Sequence, residues 1–339
     1  MSQELISIMN EERFVDYLGE NEEEQIVNLS LRPKTLDEFT GQQNTVSALR
    51  VAIKAAKKRE EPIEHLLLSG PPGLGKTSLA YCITKEMKAK LTSTSGPAIE
   101  RAGDLVGILT NLEKGDVLFI DEIHRVSKVV EEFLYPAMEN FQIDFIIDKG
   151  PYAKSVKFNL QPFTLIGATT KKGLLSAPLR GRFGLFFDFD FYPVDELATV
   201  VSRSAKLLDI PIDKDSCLEI ASRSRGAPRL SNRLLKRIRD YAQVEGDGKI
   251  NLEVTKSALD KVGIDGQGFD DLDRKYLSAL INIYQGGPAG IDAIAASLGE
   301  DRQTLEDVVE PYLLTKGFVT RSPRGRIATK KSHQHLQTG

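Results

Sequence analysis

Cysteine occurs only twice in the 339 residues, at Cys82 and Cys217. Two thiols so far apart on helix-like segments offer neither a disulfide framework nor a zinc site, and their scarcity suits a reducing cytosol. Histidine is limited to four scattered positions. His65 precedes a strand, and His333 and His335 fall in a polar tail, so no metal cluster is expected. No apolar run approaches the roughly 20 residues that span a bilayer. The opening, MSQELISIMNEERF, is too acidic and too weakly apolar for a secretory leader. There is no internal repeat and no low-complexity stretch. These gaps leave a cytoplasmic protein with no membrane contact as the expectation. With 41% hydrophobic and 27% charged residues the chain can bury a sizeable core, and its length suits two or three domains.

Acid is missing from the end of the chain as well. Beyond Glu310 there is none, while Lys316, Arg321, Arg324, Arg326, Lys330 and Lys331 follow. Residues 223–239 hold seven bases and no acid, and residues 11–24 hold seven acids against one arginine. A net charge of -3 therefore hides a basic C-terminal third.

The periodicities divide the chain. Residues 1–27 form an acidic arm to which no role is assigned. Residues 42–59 carry helical spacing and end in bases. IEHLLLSG and GDVLFIDE are short buried strands, KTSLAYCITKEMKAK is helical, and SKVVEEFLYPAMEN is a helix opened by a serine cap, with Glu131 at or near the capping-box position. Alternation on both sides of Lys149-Gly150-Pro151 predicts a β-hairpin over 141–160. FTLIGATT and LFFDFDFY are two more strands. Strands alternating with helices predict an α/β core, a parallel sheet flanked by helices, over 28–193. From Val194 the pattern is helical, at 194–208, 214–223, 228–244 and 252–262, giving a small helical domain over 194–264. DGQGFDD reads as a linker. Three helices and a hairpin with a Pro-Arg-Gly tip then give a winged helix over 265–332, followed by a tail, 333–339.

GPPGLGKTS is the strongest motif. Gly70, Gly75, Lys76 and Thr77 fit the phosphate-binding loop pattern between a strand and a helix. Glycines let backbone amides turn onto phosphate oxygens, and the helix N-terminus adds its positive end. Lys76 reaches the β- and γ-phosphates, and Thr77 holds Mg²⁺ through its hydroxyl. The nucleotide-binding stretch is Gly70, Gly73, Leu74, Gly75, Lys76, Thr77 and Ser78, and the expected cofactors are ATP and Mg²⁺. VLFIDE supplies the acids: Asp121 at the strand end for the Mg²⁺ shell, and Glu122 to polarise a water. No base-reading or switch motif of a signalling GTPase is present. Nor is the acceptor pocket and lid of a P-loop kinase. Hydrolysis coupled to motion is favoured.

Other segments leave alternatives open. The hydroxyl of Thr170, at the end of GATT, orients a lytic water or caps the next helix. Arg229 lies at a predicted helix N-terminus, where the dipole disfavours a cation. It marks a bound anion or belongs to a solvated basic face. In SAPLRGRFG, Arg180 and Arg182 have only Asp188 and Asp190 as acids nearby in sequence.

Together, GPPGLGKTSLA, LFIDEIHR, LIGATT, APLRGRFG and RGAPRLSNRLLKR follow the order of motifs in AAA+ ATPases. LRPKTLDEFTGQ, TSGPAIERAGDL, GFDDLDRKYL, EPYLLTKGF and RSPRGRIAT narrow the resemblance to the RuvB family of bacterial branch-migration motors, over roughly residues 28–330. That resemblance implies a homohexameric ring. The ring drives duplex DNA through a four-way Holliday junction held by a RuvA-like partner, with a RuvC-like resolvase in the same complex. It implies Walker A roles for Lys76 and Thr77, Walker B roles for Asp121 and Glu122, sensor roles for Thr170 and Arg229, and an arginine finger at Arg182 acting on a neighbouring subunit. Arg180 is left without a role. The resemblance further implies an adenine pocket of Leu31, Arg32, Tyr192 and Pro228. The partner would dock on the hairpin, with Ile143, Phe145 and Ile147 as exposed-side candidates. Arg324 and Arg326, with Arg321, would be DNA-backbone contacts in the wing. Lys171 stands where the family more often has arginine.

Two other readings compete. A clamp-loader-like or initiator-like AAA+ switch would use the same finger. A protein unfoldase would want an aromatic pore loop between the Walker motifs, and TSTSGPAIERAGDL has no aromatic.

Overall fold

A computed structural model describes residues 29–147 and 154–338. The acidic arm and the hairpin tip at Lys149-Gly150-Pro151 lie outside the described residues. The chain forms two compact units: the residues up to Gly70 with Gly75–Asp190, and Pro71–Leu74 with the residues from Phe191 on. Among the described residues, no helix is long and apolar enough to cross a membrane.

The first unit runs α1 (Gln43–Arg59), β1 (Leu66–Ser69), α2 (Lys76–Met87), β2 (Leu91–Ser95), α3 (Ala102–Thr110), β3 (Val117–Asp121), α4 (Lys128–Asn140), β4 (Gln142–Ile147), β5 (Lys154–Asn159), β6 (Thr164–Thr169), α5 (Ala177–Arg180) and β7 (Leu185–Asp188). Five strands form a parallel sheet in the order β2-β3-β6-β1-β7. The three central strands are continuous apolar runs because helices cover both faces, and β1 and β6 are buried throughout. Because the strands are parallel, the C-terminal ends of β1, β3 and β6 lie side by side. Ser69 pairs with Thr169, and Ile120 with Gly167. Apolar registry therefore brings the polar ends of three motifs together.

Within the first unit, β2 and α3 are among the elements that the sequence reading did not include. The edge strand β2, LTSTS, is half-buried along its length and has no apolar run to announce it. Helix α3 holds two glycines, which lower helix propensity, and it is opened by the Arg101 N–H donating to Asp104. The strand expected over LFFDFDFY ends at Asp188, after which Phe189 and Tyr192 are buried. β4 and β5 pair antiparallel, with Ile143 opposite Phe158.

The second unit begins with α6 (Val194–Leu207), α7 (Lys214–Ser222), α8 (Pro228–Glu245) and α9 (Leu252–Lys261), packed around Val201, Ile220, Leu234, Ile238 and Leu259. Then follow α10 (Asp271–Ser278) and α11 (Ile291–Leu298). Arg302–Thr304, Leu305–Val309 and Glu310–Thr315 run on from one another as α12. The hairpin of β8 (Val319–Ser322) and β9 (Gly325–Ala328) comes next, and α13 (Lys330–Thr338) last. Phe269, Tyr276, Leu277, Leu313 and Phe318 fill this second core.

Neither the linker nor the tail is a loose connection. Phe269, within the Gly/Asp segment, is fully buried. The expected polar tail is the helix α13. His335 stands edge-on to Phe269 and Phe318, at 5.0 and 5.7 Å between centroids, and its Nε2 lies 2.8 Å from Asp265. Aromatic packing and a polar contact with Asp265, neither of which leaves a local pattern, order a segment whose composition reads as solvent-exposed.

Candidate active site

The phosphate-binding loop starts where β1 ends. Gly70 has φ +142°, and a Cβ there would lie 2.6 Å from the Phe189 carbonyl oxygen, so only glycine fits. Gly75, at φ +96°, is the N-cap of α2. Lys76 opens that helix and is buried, with Nζ donating to the Gly70 carbonyl at 2.7 Å. Burial draws its pKa below the ordinary lysine value, and the Asp121 and Glu122 carboxylates oppose that shift. Thr77 and Ser78 are half-buried in the first turn of α2. A loop with three glycines at positive φ, a helix N-terminus and a buried cation suit the phosphates of a nucleotide. The Thr77 hydroxyl and the Asp121 carboxylate are hard oxygen donors of the kind a magnesium ion takes with water and phosphate oxygens. Among the described residues no larger group of His, Cys, Asp and Glu could hold a metal.

Asp121 ends β3, and its Oδ1 accepts the Glu122 N–H at 2.9 Å. Glu122 itself is left-handed, at φ +46°. That conformation costs a non-glycine residue about 1–2 kcal/mol. The Asp121 contact and the Arg125 N–H, donated to the Glu122 carbonyl at 2.8 Å, offset it. Gly96 clears the way: a Cβ there would come within 2.5 Å of the Glu122 carbonyl oxygen. The turn brings the Glu122 carboxylate to β6. Its Oε2 accepts from Thr170 Oγ1 at 3.1 Å and from the Thr170 N–H at 3.4 Å, and lies 3.1 Å from His124 Nδ1. Burial raises the Glu122 pKa, but the His124 contact and the Thr170 hydrogen bonds outweigh it and hold the group below the usual glutamate value. Glu122 and Thr170 are thus in direct contact, with Lys76 and Asp121 in the same electrostatic neighbourhood.

Arg182 is better partnered than its sequence neighbourhood suggests. Its NH2 pairs with Glu139 of α4 at 3.0 Å, its NH1 donates to the Pro178 carbonyl at 2.7 Å, and its guanidinium lies 4.3 Å from the Tyr135 ring centroid. Its Nε is buried without a partner. Glu131 organises this corner rather than completing a capping box: it accepts from the Tyr135 hydroxyl at 2.9 Å and from Ser176, the N-cap of α5, at 2.7 Å. Arg180 lies 6.0 Å from the Phe186 ring centroid.

The remaining nucleotide candidates fall in both units. Leu31, buried, and Arg32, half-buried, belong to the first. In the second, Tyr192 is buried and donates its hydroxyl to the Leu74 carbonyl at 3.2 Å. Pro228 opens α8, followed by Arg229, whose N–H donates to the Gly73 carbonyl at 3.2 Å. The Arg229 side chain is exposed.

One hairpin residue departs from the expectation, and two wing arginines have acidic partners within the chain. Ile143 is not on an exposed side: it is fully buried in the core beneath α4. The alternation shows two faces but not which of them meets the protein. The side chains of Phe145 and Ile147 lie outside the described residues. Phe158, on the opposing strand, is 45% exposed. In the wing, Arg321 and Arg326 both bind Glu310, a fully buried carboxylate that also accepts from the Tyr276 hydroxyl at 2.7 Å. Arg326 reaches Glu306 as well, at 3.1 Å. Arg324, at the exposed tip, shows no ion pair among the described residues.

Three family models cover nearly all of these residues. The Holliday junction DNA helicase RuvB P-loop domain matches residues 31–189, the RuvB AAA lid domain 192–265, and the RuvB C-terminal winged helix domain 266–337. The chain belongs to the RuvB family. A solved structure of Thermotoga maritima RuvB, described as a Holliday junction branch migration motor, superposes with a TM-score of 0.84 at 50% identity, covering 91% of this chain and 98% of that one. An arginine-to-alanine variant of the same protein superposes at 0.83, with the same identity and coverage. As a RuvB-family P-loop ATPase, the chain is a nucleotide-binding AAA+ enzyme with a lid and a winged helix. Within that frame, His124, Glu139 and Glu310 are the residues that linear motifs do not reveal. The only sequence signal was the histidine two places after the acid pair in LFIDEIHR.

Proposed function

We propose that the protein is an ATP-driven, Mg²⁺-dependent motor that moves four-way DNA junctions. It works as a homohexameric ring in the cytoplasm, with a RuvA-like junction-binding partner and a RuvC-like resolvase as companions. The observation that carries this reading is the contact of Glu122 with Thr170 beside the phosphate-binding loop, in a chain of the RuvB family that ends in a winged helix. When bound, Mg²⁺ supplies charge neutralisation on the phosphates, and Thr77 and Asp121 would hold it. Lys76 neutralises the β- and γ-phosphates. Glu122 takes the proton of a water as its oxygen attacks the γ-phosphorus, and Thr170 keeps the carboxylate aimed. The bond to the ADP oxygen breaks, leaving ADP and phosphate.

Support for the individual residues comes from the solved Thermotoga variants. They replace a lysine, an alanine, a threonine, an arginine and a proline. One constant shift in numbering carries all five onto Lys76, Ala168, Thr170, Arg182 and Pro228, which are the same residue types here. In this reading Arg229 senses the γ-phosphate, and Leu31, Arg32, Tyr192 and Pro228 take the adenine. Arg182 leaves Glu139 to reach a neighbouring subunit's nucleotide. The partner docks on the hairpin, with Phe145 and Ile147 as the candidates there, and Phe158 on β5 is exposed. The wing meets phosphates through Arg324. Backbone contacts without base readout suit a motor that must travel along any sequence.

DNA-stimulated ATPase tests the assignment. Lys76→Ala and Arg182→Ala should each be inactive, and mixing the two should restore part of the activity, because each supplies what the other lacks at some interfaces. Normal hydrolysis by Lys76→Ala would remove the proposed site.

A further inference from the structure

We propose that His124 is a positioning residue for Glu122, holding one carboxylate oxygen so that the other is presented to the attacking water. The inference rests on the reading of Glu122 as the group that takes the water's proton. His124 is nearly enclosed, with its side chain only 6% exposed. Its Nδ1 lies 3.1 Å from Glu122 Oε2 and 2.8 Å from Thr169 Oγ1.

Chemistry fixes where the proton sits. An ionised carboxylate oxygen offers only lone pairs, and a bare Nδ1 would set its own lone pair against them. Nδ1 must therefore carry hydrogen and donate. Thr169 Oγ1 already accepts the Lys171 N–H at 3.0 Å and lies within reach of the same donor. Oε2 then accepts from the hydroxyl and N–H of Thr170 and lies 3.1 Å from the His124 ring nitrogen, which is itself 2.8 Å from Thr169 Oγ1. The two Thr170 donors come from a single residue at the end of β6. Alone they would leave the carboxylate plane able to swing. The imidazole approaches from Glu122's own turn and fixes that plane. Oε1 takes none of these bonds and is the oxygen left for a water. A carboxylate held by one oxygen is oriented but still basic at the other, as a proton acceptor requires. The left-handed turn at Glu122, with Asp121 and Gly96 accommodating it, gives the ring and the carboxylate their approach.

The test compares His124→Phe, which keeps volume but loses the donor, with His124→Asn, whose amide nitrogen can stand near the Nδ1 position. Nucleotide affinity, measured with a fluorescent ATP analogue, reports folding and binding separately from turnover. His124→Phe should lower kcat about tenfold or more while affinity stays within about twofold, and His124→Asn should recover most of the loss. Unchanged kcat in His124→Phe overturns the inference, as does equal loss in both variants with affinity intact. Glu122→Gln serves as the control: if it still hydrolyses ATP, the reading of Glu122 itself falls. If it is inactive while His124→Phe is normal, only the positioning role falls. Should His124→Phe not fold, ¹⁵N spectra of histidine-labelled wild-type protein decide the matter, with His124 assigned through His124→Asn. Protonated Nδ1 supports the proposal, and a neutral ring protonated only at Nε2 overturns it.

Discussion

Two carboxylates, Glu122 in the first unit and Glu310 in the second, are both held below the ordinary glutamate pKa against the opposing pull of burial. Their surroundings differ. Glu310 is fully enclosed and both its oxygens are engaged: Oε1 by Tyr276 and Arg326, Oε2 by Arg321 and Arg326. Glu122 is 31% exposed, and its contacts converge on Oε2. A saturated carboxylate fastens structure, here α10 and α12 to the two wing strands. A half-saturated one at an open strand end can still accept a proton. The number of bonds therefore separates the two less well than their distribution over the two oxygens.

The sharpest way to break this contrast is to neutralise each acid. Glu122→Gln should lower ATP turnover by about 10²-fold or more while melting like the wild type, because it removes a proton acceptor and few packing contacts. Turnover within a factor of a few would erase the distinction. Glu310→Ala should show the reverse. Leaving two arginines beside an emptied buried site should destabilise the winged helix by about 3–5 kcal/mol. Thermal or denaturant unfolding of the full chain checks this, with basal ATPase nearly unchanged.

Acidity gives a milder version of the same test. The folded pKa of Glu310 lies below its unfolded value. Its contribution is therefore fully present above the ordinary glutamate range and fades as pH falls through the lower folded value. Melting profiles of Glu310→Gln should lose part of the acid-side decline seen in the wild type. The smallest effect belongs to the wing tip. Since Glu310 and Glu306 already pair with Arg321 and Arg326, Arg324→Ala should reduce the slope of log K against log salt for duplex DNA by about one. An equal change from Arg321→Ala would show that the Glu310 pairing does not withdraw that arginine from DNA.

The comparison also marks how far the sequence could be read. Lys76, Thr77, Asp121, Glu122 and Thr170 were legible because each is tied to a strand end or a helix start, and hydrophobic periodicity locates those ends. The parallel sheet, the lid helices and the wing hairpin followed from the same patterns. Contacts between distant segments left no local trace. Glu139 as a partner of Arg182, His124 and Thr169 around Glu122, and Glu310 beneath the wing all depend on tertiary neighbours. Ile143 was misjudged because alternation alone does not orient a hairpin's faces. The tail's polar composition hid a helix because His335 is held by aromatic packing rather than by an apolar stripe.

The most direct measurement is branch migration of a synthetic four-way junction with ATP and a RuvA-like partner, comparing the wild type with Glu122→Gln. ATP-dependent movement by the wild type and none by the variant is the predicted result. Wild-type protein that hydrolyses ATP with DNA and partner present yet leaves the junction unmoved would contradict the account.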